Sequence, residues 1–94
     1  LYMKDHFKET ITLSQTAERL NVNSSYLSRV FHNETGMTFI EYLNRIRVEK
    51  AKELLKEGKA LKEITGECGF QSYGYFLKIF KEYTGHTPKE YLAE

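Results

Sequence analysis

The stretch "YLSRVFHNETGMTFIEYL" (residues 26–43) has a second copy later in the chain, "YFLKIFKEYTGHTPKEYL" (residues 75–92). When the two stretches are aligned with an offset of 49, eight of their 18 positions are identical. Chance gives about one identity over this length, and self-similarity at a fixed spacing indicates a structural unit that is used more than once. The sequence therefore predicts two copies of one small unit.

The length and composition are those of a small globular protein. Of its 94 residues, 40% are hydrophobic and 29% are charged, which argues against disorder. Apolar runs are only a few residues long and predict neither a membrane span nor a signal peptide. The single cysteine, Cys68, cannot form an internal disulfide, so we expect a cytoplasmic protein. Because the chain begins at Leu1, we expect it to be cut from a longer protein.

Positive charge is concentrated at the centre of the chain. Residues 45–62 carry seven lysine or arginine side chains against three glutamates, a net charge of +4, whereas the segments before and after have net charges of −1 and −2. Such a segment is either a solvated helix face with opposite charges three or four residues apart, or a surface that attracts an anion. The charge alone leaves both interpretations open.

Apolar residues recur with helical spacing almost throughout, and the only proline is Pro88, so an all-α fold is predicted. About seven helices are expected: one ending near residue 9, then 12–20, 24–35, 38–57, 62–68, 73–84 and one from 87 onward. Three of them open with a capping box, in which a threonine is followed three positions later by Glu or Gln. The boxes are Thr12 with Gln15, Thr38 with Glu41, and Thr87 with Glu90.

Each copy of the repeat contains two helices joined by a turn of a few residues, which is the pattern of a helix-turn-helix. The motif requires a small residue where the helices cross, a residue that tolerates positive φ in the turn, and apolar residues on the inner face of the second helix. The first unit supplies Ala17, Asn21, and Leu27 with Val30 and Phe31, and the second supplies Thr65, Gly69, and Phe76 with Ile79 and Phe80. We also expect Leu20 and Val22 to be buried, like their equivalents Cys68 and Phe70.

The helical period turns the opposite face of each second helix outward. The outward residues are Ser25, Ser28, Arg29 and His32 in the first unit, and Tyr73, Gly74, Leu77, Lys78 and Lys81 in the second. Arg29 can donate two parallel hydrogen bonds to a guanine, small serines let a helix enter a major groove, and a thymine methyl can cover Leu77. Arg29 and Lys78 also fit the simpler interpretation of solvated side chains, but their equivalence under the repeat favours a function.

The fourth predicted helix spaces the two units. From Phe39 to Glu57 it reaches about 28 Å at roughly 1.5 Å per residue. With the widths of the second helices added, their separation approaches the roughly 34 Å of one duplex turn, so both can enter successive major grooves from one side. We therefore predict a first helix-turn-helix unit over residues 1–37, a linker helix over 38–58, and a second unit over 59–94.

With both units in view, the chain resembles the DNA-binding domain of the AraC/XylS family of bacterial transcription regulators over essentially its whole length. The resemblance is carried by "LNVNSSYLSRVFHNETGMTFIEYLNRIRVEKAKELL" (residues 20–55) and "ITGECGFQSYGYFLKIFKEYTGHTPKEYL" (residues 64–92). It implies two helix-turn-helix units joined by a long helix, sequence-specific binding to promoter DNA, and a position next to RNA polymerase. It also implies an absent domain, either a ligand sensor or, as in some two-component response regulators, a phospho-receiver, through which we expect any dimerisation.

Carried over residue by residue, the resemblance implies base reading by two sets of side chains, to which we add His32 because it shares the first face. They are Ser25, Ser28 and Arg29, and then Tyr73, Gly74, Leu77 and Lys78. Phosphate contacts are expected from Ser24, Arg45, Arg47, Lys50, Lys81 and Lys89. The chain departs from the family's usual pattern at Thr65, Gly66, Leu77 and Lys78, which favours phosphate contacts over base reading in the second unit.

Two other functions compete with DNA binding. Catalysis and metal binding are disfavoured because His6, His32 and His86 lack zinc-site spacing, and neither a nucleophile–base motif nor a Gly-rich phosphate loop is present. No cofactor is therefore expected. The alternative is a helical module that binds another protein through Tyr73 and Leu77, without reading DNA.

Overall fold

This computed structural model describes residues 12–93, and within that range the protein consists of α-helices and loops. The helices are α1 Leu13–Leu20, α2 Ser24–Thr35, α3 Phe39–Lys56, α4 Leu61–Glu67, α5 Tyr73–Thr84 and α6 Pro88–Ala93. They match the second to seventh predicted helices to within one residue at the ends that were predicted. The all-α prediction is confirmed, and the first predicted helix, which ends near residue 9, lies outside the described residues.

The starts of three helices are set by side chains that the sequence places there. At α3, the N–H of Glu41 donates to Thr38 Oγ1 at 3.2 Å, and the N–H of Thr38 donates to Glu41 Oε1 at 2.9 Å. The same pair of bonds opens α1 at Thr12 and α6 at Thr87. Each box satisfies two N–H groups that have no partner within the helix. All three predicted capping boxes are confirmed.

A second repeated device closes α2 and α5. Thr35 Oγ1 donates to the Phe31 carbonyl at 2.8 Å and accepts from the Met37 N–H at 3.1 Å, and Thr84 makes the equivalent bonds. Gly36 follows with φ 74°, a left-handed conformation that is costly for a residue with a side chain. Half of the identities in the repeat therefore encode the connection between the second helix of a unit and the helix that follows it. They are Thr35/Thr84, Gly36/Gly85, Thr38/Thr87 and Glu41/Glu90.

Among the described residues, helix α3 contributes to both hydrophobic clusters. Its N-terminal half contributes Phe39 and Leu43 to a small cluster, against which Leu13 of α1 and Phe31 of α2 pack. Its C-terminal half contributes to a larger cluster, whose buried members are Val48, Ala51, Leu54, Leu55, Ile64, Cys68, Phe70, Phe76, Ile79 and Phe80. Because one continuous helix belongs to both clusters, it fixes the position of one unit relative to the other.

The two units do not bury their inner faces equally. Cys68 and Phe70 are buried as expected, but the equivalent Leu20 is 58% exposed and Val22 is also exposed. The prediction that Leu20 and Val22 are buried is therefore wrong. The physical reason is that the C-terminal half of α3 packs in one cluster with Cys68 and Phe70, whereas no described residue covers Leu20 to that extent.

Candidate nucleic-acid interface

The outward face of α2 lines an open cleft. Asn23 begins the helix, since its Oδ1 accepts hydrogen bonds from the N–H groups of Ser25 and Tyr26 at 2.8 and 3.3 Å. The cleft beside this first turn has a volume of about 580 Å³ and is lined by Leu13, Ser24, Ser25, Ser28, Arg29, His32, Asn33 and Thr38. The structure thus brings together the four residues of the first unit that were predicted to read bases, with Ser24, a predicted phosphate contact, beside them.

The equivalent face of α5 is also open at its N-terminal end. Ser72 begins the helix by accepting a hydrogen bond from the Tyr75 N–H at 3.1 Å. Tyr73, Gly74 and Lys78 are exposed, and so is Lys81 one turn further on. Apart from the adjacent residues and the backbone of α5, no heavy atom lies within 4 Å of the position that a Cβ on Gly74 would take. The helix backbone itself is therefore accessible to a ligand at this point.

Leu77 differs from the other members of its predicted set. Its side chain is half-buried and packs against the larger hydrophobic cluster. The expectation of an outward leucine is therefore wrong in part, because the cluster already removes much of this side chain from water. A thymine methyl is not required to cover Leu77.

Arg47 lies inside the protein, where the predicted phosphate contact cannot form. It is 5% exposed, and it lies one turn from Leu43 and Ala51, which are fully buried. Burial lowers the pKa of its guanidinium group, against the opposing effects of Tyr75 and Cys68. A phosphate could reach Arg47 only by displacing the side chains that cover it, so Arg47 belongs to the packing between α3 and the second unit.

The other predicted phosphate contacts are dispersed. Arg45 is exposed, with its Nη1 4.0 Å from Met37 Sδ, and Lys50 is half-buried. At about 100° per residue, these two side chains leave α3 roughly 140° apart, so they do not face the same surface. Lys89 is exposed in the first turn of α6. The predicted phosphate contacts of α3 and α6 therefore do not form a single basic patch.

Two hydrogen bonds tie α5 to the N-terminal half of α3. Asn44 Nδ2 donates to the Tyr75 hydroxyl at 3.1 Å, and the Tyr83 hydroxyl donates to the main-chain carbonyl of Glu41 at 3.2 Å. Burial raises the pKa of Tyr83, and the negative charge of Glu41 adds to this effect. Sequence reasoning missed this contact. Its one signal was a polar residue, Asn44, on the apolar stripe of α3, and nothing paired it with a tyrosine 31 residues later.

Residues 12–93 contain neither a cluster of metal ligands nor a membrane-spanning helix. Within that range, no group of three or more His, Cys, Asp or Glu side chains is placed to hold a metal ion. Among the described helices, none combines the length and the apolar character needed to cross a bilayer.

Comparison with known proteins relates the chain to transcription regulators. A sequence model of a helix-turn-helix domain family matches residues 16–94. The uncharacterized HTH-type transcriptional regulator YpdC of Escherichia coli is 32% identical over 93 residues, which cover 98% of this chain and 33% of that protein. The chain thus spans about a third of the length of this curated relative.

Two solved structures share the fold closely. The C-terminal domain of AraT, a response regulator from Geobacillus stearothermophilus, superposes with a TM-score of 0.91 at 40% identity, over 96% of this chain and 76% of that one. The DNA-binding domain of AdpA, described as a global transcriptional factor in complex with a target DNA, gives a TM-score of 0.91 at 27% identity. That match covers 98% of this chain and 84% of the AdpA chain.

Proposed function

The chain belongs to the AraC family of helix-turn-helix transcription regulators, and from that premise we propose that it binds double-stranded promoter DNA sequence-specifically and regulates bacterial transcription. In this proposal α2 and α5 enter two successive major grooves. The observation that carries it is the cleft beside α2, where Ser25, Ser28, Arg29 and His32 converge on one accessible surface. The equivalent positions of α5 are open at the same end of the helix.

The chemistry of the α2 face suits a major groove. Arg29 is exposed and presents a planar fork of N–H donors, which matches the O6 and N7 acceptors of guanine. Ser25 and Ser28 are small, so they allow the helix axis to approach the base edges closely. The N-terminal turn of α2 carries Ser24, whose hydroxyl can contact a phosphate, whereas the N–H groups of Ser25 and Tyr26 already donate to Asn23 Oδ1.

The α5 face offers fewer base-reading groups. Tyr73, Gly74 and Lys78 are the exposed members, whereas Leu77 is half-buried and can present only part of its side chain to a base. Lys81 and Lys89 are exposed and can neutralise phosphates on either side. We therefore assign most sequence discrimination to α2 and a larger electrostatic share to α5.

The dimensions of the protein match two grooves. Helix α3 has 18 residues and is about 27 Å long at 1.5 Å per residue. The protein measures 43 Å along its longest axis, whereas successive major grooves on one side of a duplex are roughly 34 Å apart. Arg45 and Lys50 point to different sides of α3, so we propose that one or the other contacts a phosphate. Arg47 is buried and is no longer proposed as a phosphate contact.

We assign regulation to the part of the full-length protein that this chain does not cover. Because the chain spans about a third of YpdC, the signal and any dimerisation belong to the rest of the full-length protein in this proposal. RNA polymerase is the proposed partner at the promoter, and the cytoplasm is the proposed location.

The test is selection of a preferred duplex from a random pool, followed by titration of that duplex and a scrambled one at 50 and 200 mM salt. We expect tighter binding to the selected duplex at both concentrations, and a steep loss of affinity with salt on both, because phosphate contacts release counterions. Binding that is insensitive to salt and sequence would refute DNA reading and favour the protein-docking alternative.

A further inference from the structure

The contact between α3 and α5 has a polar part within a mainly apolar interface. Asn44 is only 3% exposed, and its Nδ2 bonds the Tyr75 hydroxyl at 3.1 Å. Eight residues along α5, the Tyr83 hydroxyl bonds the Glu41 carbonyl at 3.2 Å. We call Asn44, Tyr75, Tyr83 and the Glu41 carbonyl the tyrosine clasp. It holds α5 to α3 through two hydrogen bonds on neighbouring residues of one α3 turn, with Asn44 also close to Tyr83.

As a contribution to stability alone, the clasp is less favourable than an apolar contact at the same place would be. The buried Oδ1 of Asn44 has no hydrogen-bond partner among the described residues, so the amide is only partly satisfied. An apolar side chain would avoid that penalty, and Phe76, Ile79 and Phe80 already bury the inner face of α5. Hydrogen bonds are directional, however, whereas apolar contacts tolerate small rotations. The clasp therefore restricts the angle at which α5 crosses α3.

The first unit shows that the helix-turn-helix forms without such a bond. Tyr26 is the equivalent of Tyr75 under the repeat, yet it is 53% exposed and its hydroxyl has no hydrogen bond to another described residue. The same tyrosine thus occurs in both units, and only the second bonds α3. The bond concerns the placement of the second unit on α3 and not the formation of the unit.

We propose that Asn44, acting through Tyr75, is a positioning residue that sets the distance between the two half-sites read by α2 and α5. This inference rests on the proposed function. Gly74 lies nine residues from Tyr83, about 14 Å along α5, so a rotation of roughly 15° about the Tyr83 contact moves it by about 3–4 Å. That displacement equals the rise of about one base pair, roughly 3.4 Å. A small change in the angle at which α5 crosses α3 thus shifts the preferred half-site spacing by a whole base pair.

The experiment uses the 94-residue chain and duplexes in which the two selected half-sites are separated by the preferred spacing or by one or two base pairs more or fewer. The test variant is Asn44→Leu combined with Tyr75→Phe, because replacing both partners by apolar groups leaves no unpaired donor or acceptor. The matched control is Tyr26→Phe, which removes the equivalent hydroxyl in the first unit. Thermal unfolding establishes that each variant is folded.

We expect the wild type and Tyr26→Phe to prefer one spacing by about tenfold over a shift of one base pair. The double variant should bind the neighbouring spacings within about threefold of each other, with unchanged affinity for a single α2 half-site. If the double variant does not fold, Tyr75→Phe alone replaces it and should broaden the profile in the same direction, because it also removes the bond from Asn44.

Two outcomes are distinguished. A folded clasp variant with the wild-type spacing profile, or equal broadening by Tyr26→Phe, overturns the inference and leaves the proposed function intact. A wild type that prefers no duplex over scrambled DNA overturns the proposed function, and the inference falls with it.

Discussion

Replacing Gly66 by alanine should stabilise this protein, whereas the same replacement at Gly85 should destabilise it. Gly66 lies inside α4 and Gly85 follows α5 with φ 82°. At both positions, apart from the adjacent residues and the local helix backbone, no heavy atom lies within 4 Å of the place where the new Cβ would be. The new methyl group therefore packs against nothing at either position, and the backbone conformation decides whether the substitution raises or lowers the free energy of unfolding.

The magnitudes follow from the backbone. Alanine is favoured over glycine by about 0.5–1 kcal/mol in a helix, and the lower value applies to Gly66 because it lies in the last turn. For a domain of this size, about 0.5 kcal/mol corresponds to a rise in Tm of roughly 2–4 °C. At Gly85, the left-handed conformation is unfavourable for alanine by about 1 kcal/mol, so Tm should fall.

Gly74→Ala extends the comparison from stability to function. Its Cβ also meets open space within α5, so its effect on stability should resemble that of Gly66→Ala. Its methyl group, however, projects from the surface proposed to enter a major groove. We expect Gly74→Ala to weaken binding to the selected duplex several-fold, about 1 kcal/mol, while Gly66→Ala leaves it unchanged.

Urea and thermal unfolding measure the first effect, and fluorescence anisotropy with labelled duplexes measures the second. A lower Tm for Gly66→Ala, or a higher one for Gly85→Ala, would refute the backbone reasoning. Equal DNA affinities of Gly66→Ala and Gly74→Ala would show that the N-terminal face of α5 does not approach the bases.

Three further predictions concern single side chains. Arg29→Ala should cost roughly 1–3 kcal/mol on the selected duplex and little on random DNA, and equal losses in anisotropy titrations would make Arg29 a phosphate contact. Leu43→Ala removes a fully buried side chain and should lower the free energy of unfolding by about 2–5 kcal/mol. Leu20 is 58% exposed, so Leu20→Ala should change this free energy by less than about 0.5 kcal/mol. Urea titrations measure both. The pKa of Tyr83 in the folded protein is raised above 10.0, so the free energy of unfolding should be constant below that pH and should decrease as the pH rises through the folded-state pKa. Tyr83→Phe should remove the part of this decrease that is due to Tyr83. An identical alkaline profile in Tyr83→Phe would contradict the last prediction.

The sequence by itself determined the helices and their ends. Threonine with Glu or Gln three positions later, and glycine or asparagine at a left-handed position, act through bonds between residues a few positions apart. Such local interactions are visible in a single sequence. The same holds for most of the exposed faces of α2 and α5, because helical periodicity fixes which residues lie opposite Phe31 and Phe80, although Leu77 of α5 is half-buried.

Tertiary structure alone decided which of the remaining residues are accessible. Arg47 and Leu20 were misplaced because burial depends on which other helix packs on a given face, and that helix can be distant in the sequence. The pairing of Asn44 with Tyr75 joins residues 31 positions apart, and no local pattern marks it. The angle between the two reading helices depends on such contacts. The sequence therefore determined what each unit is, and the packing on α3 decided how the two units are placed relative to each other.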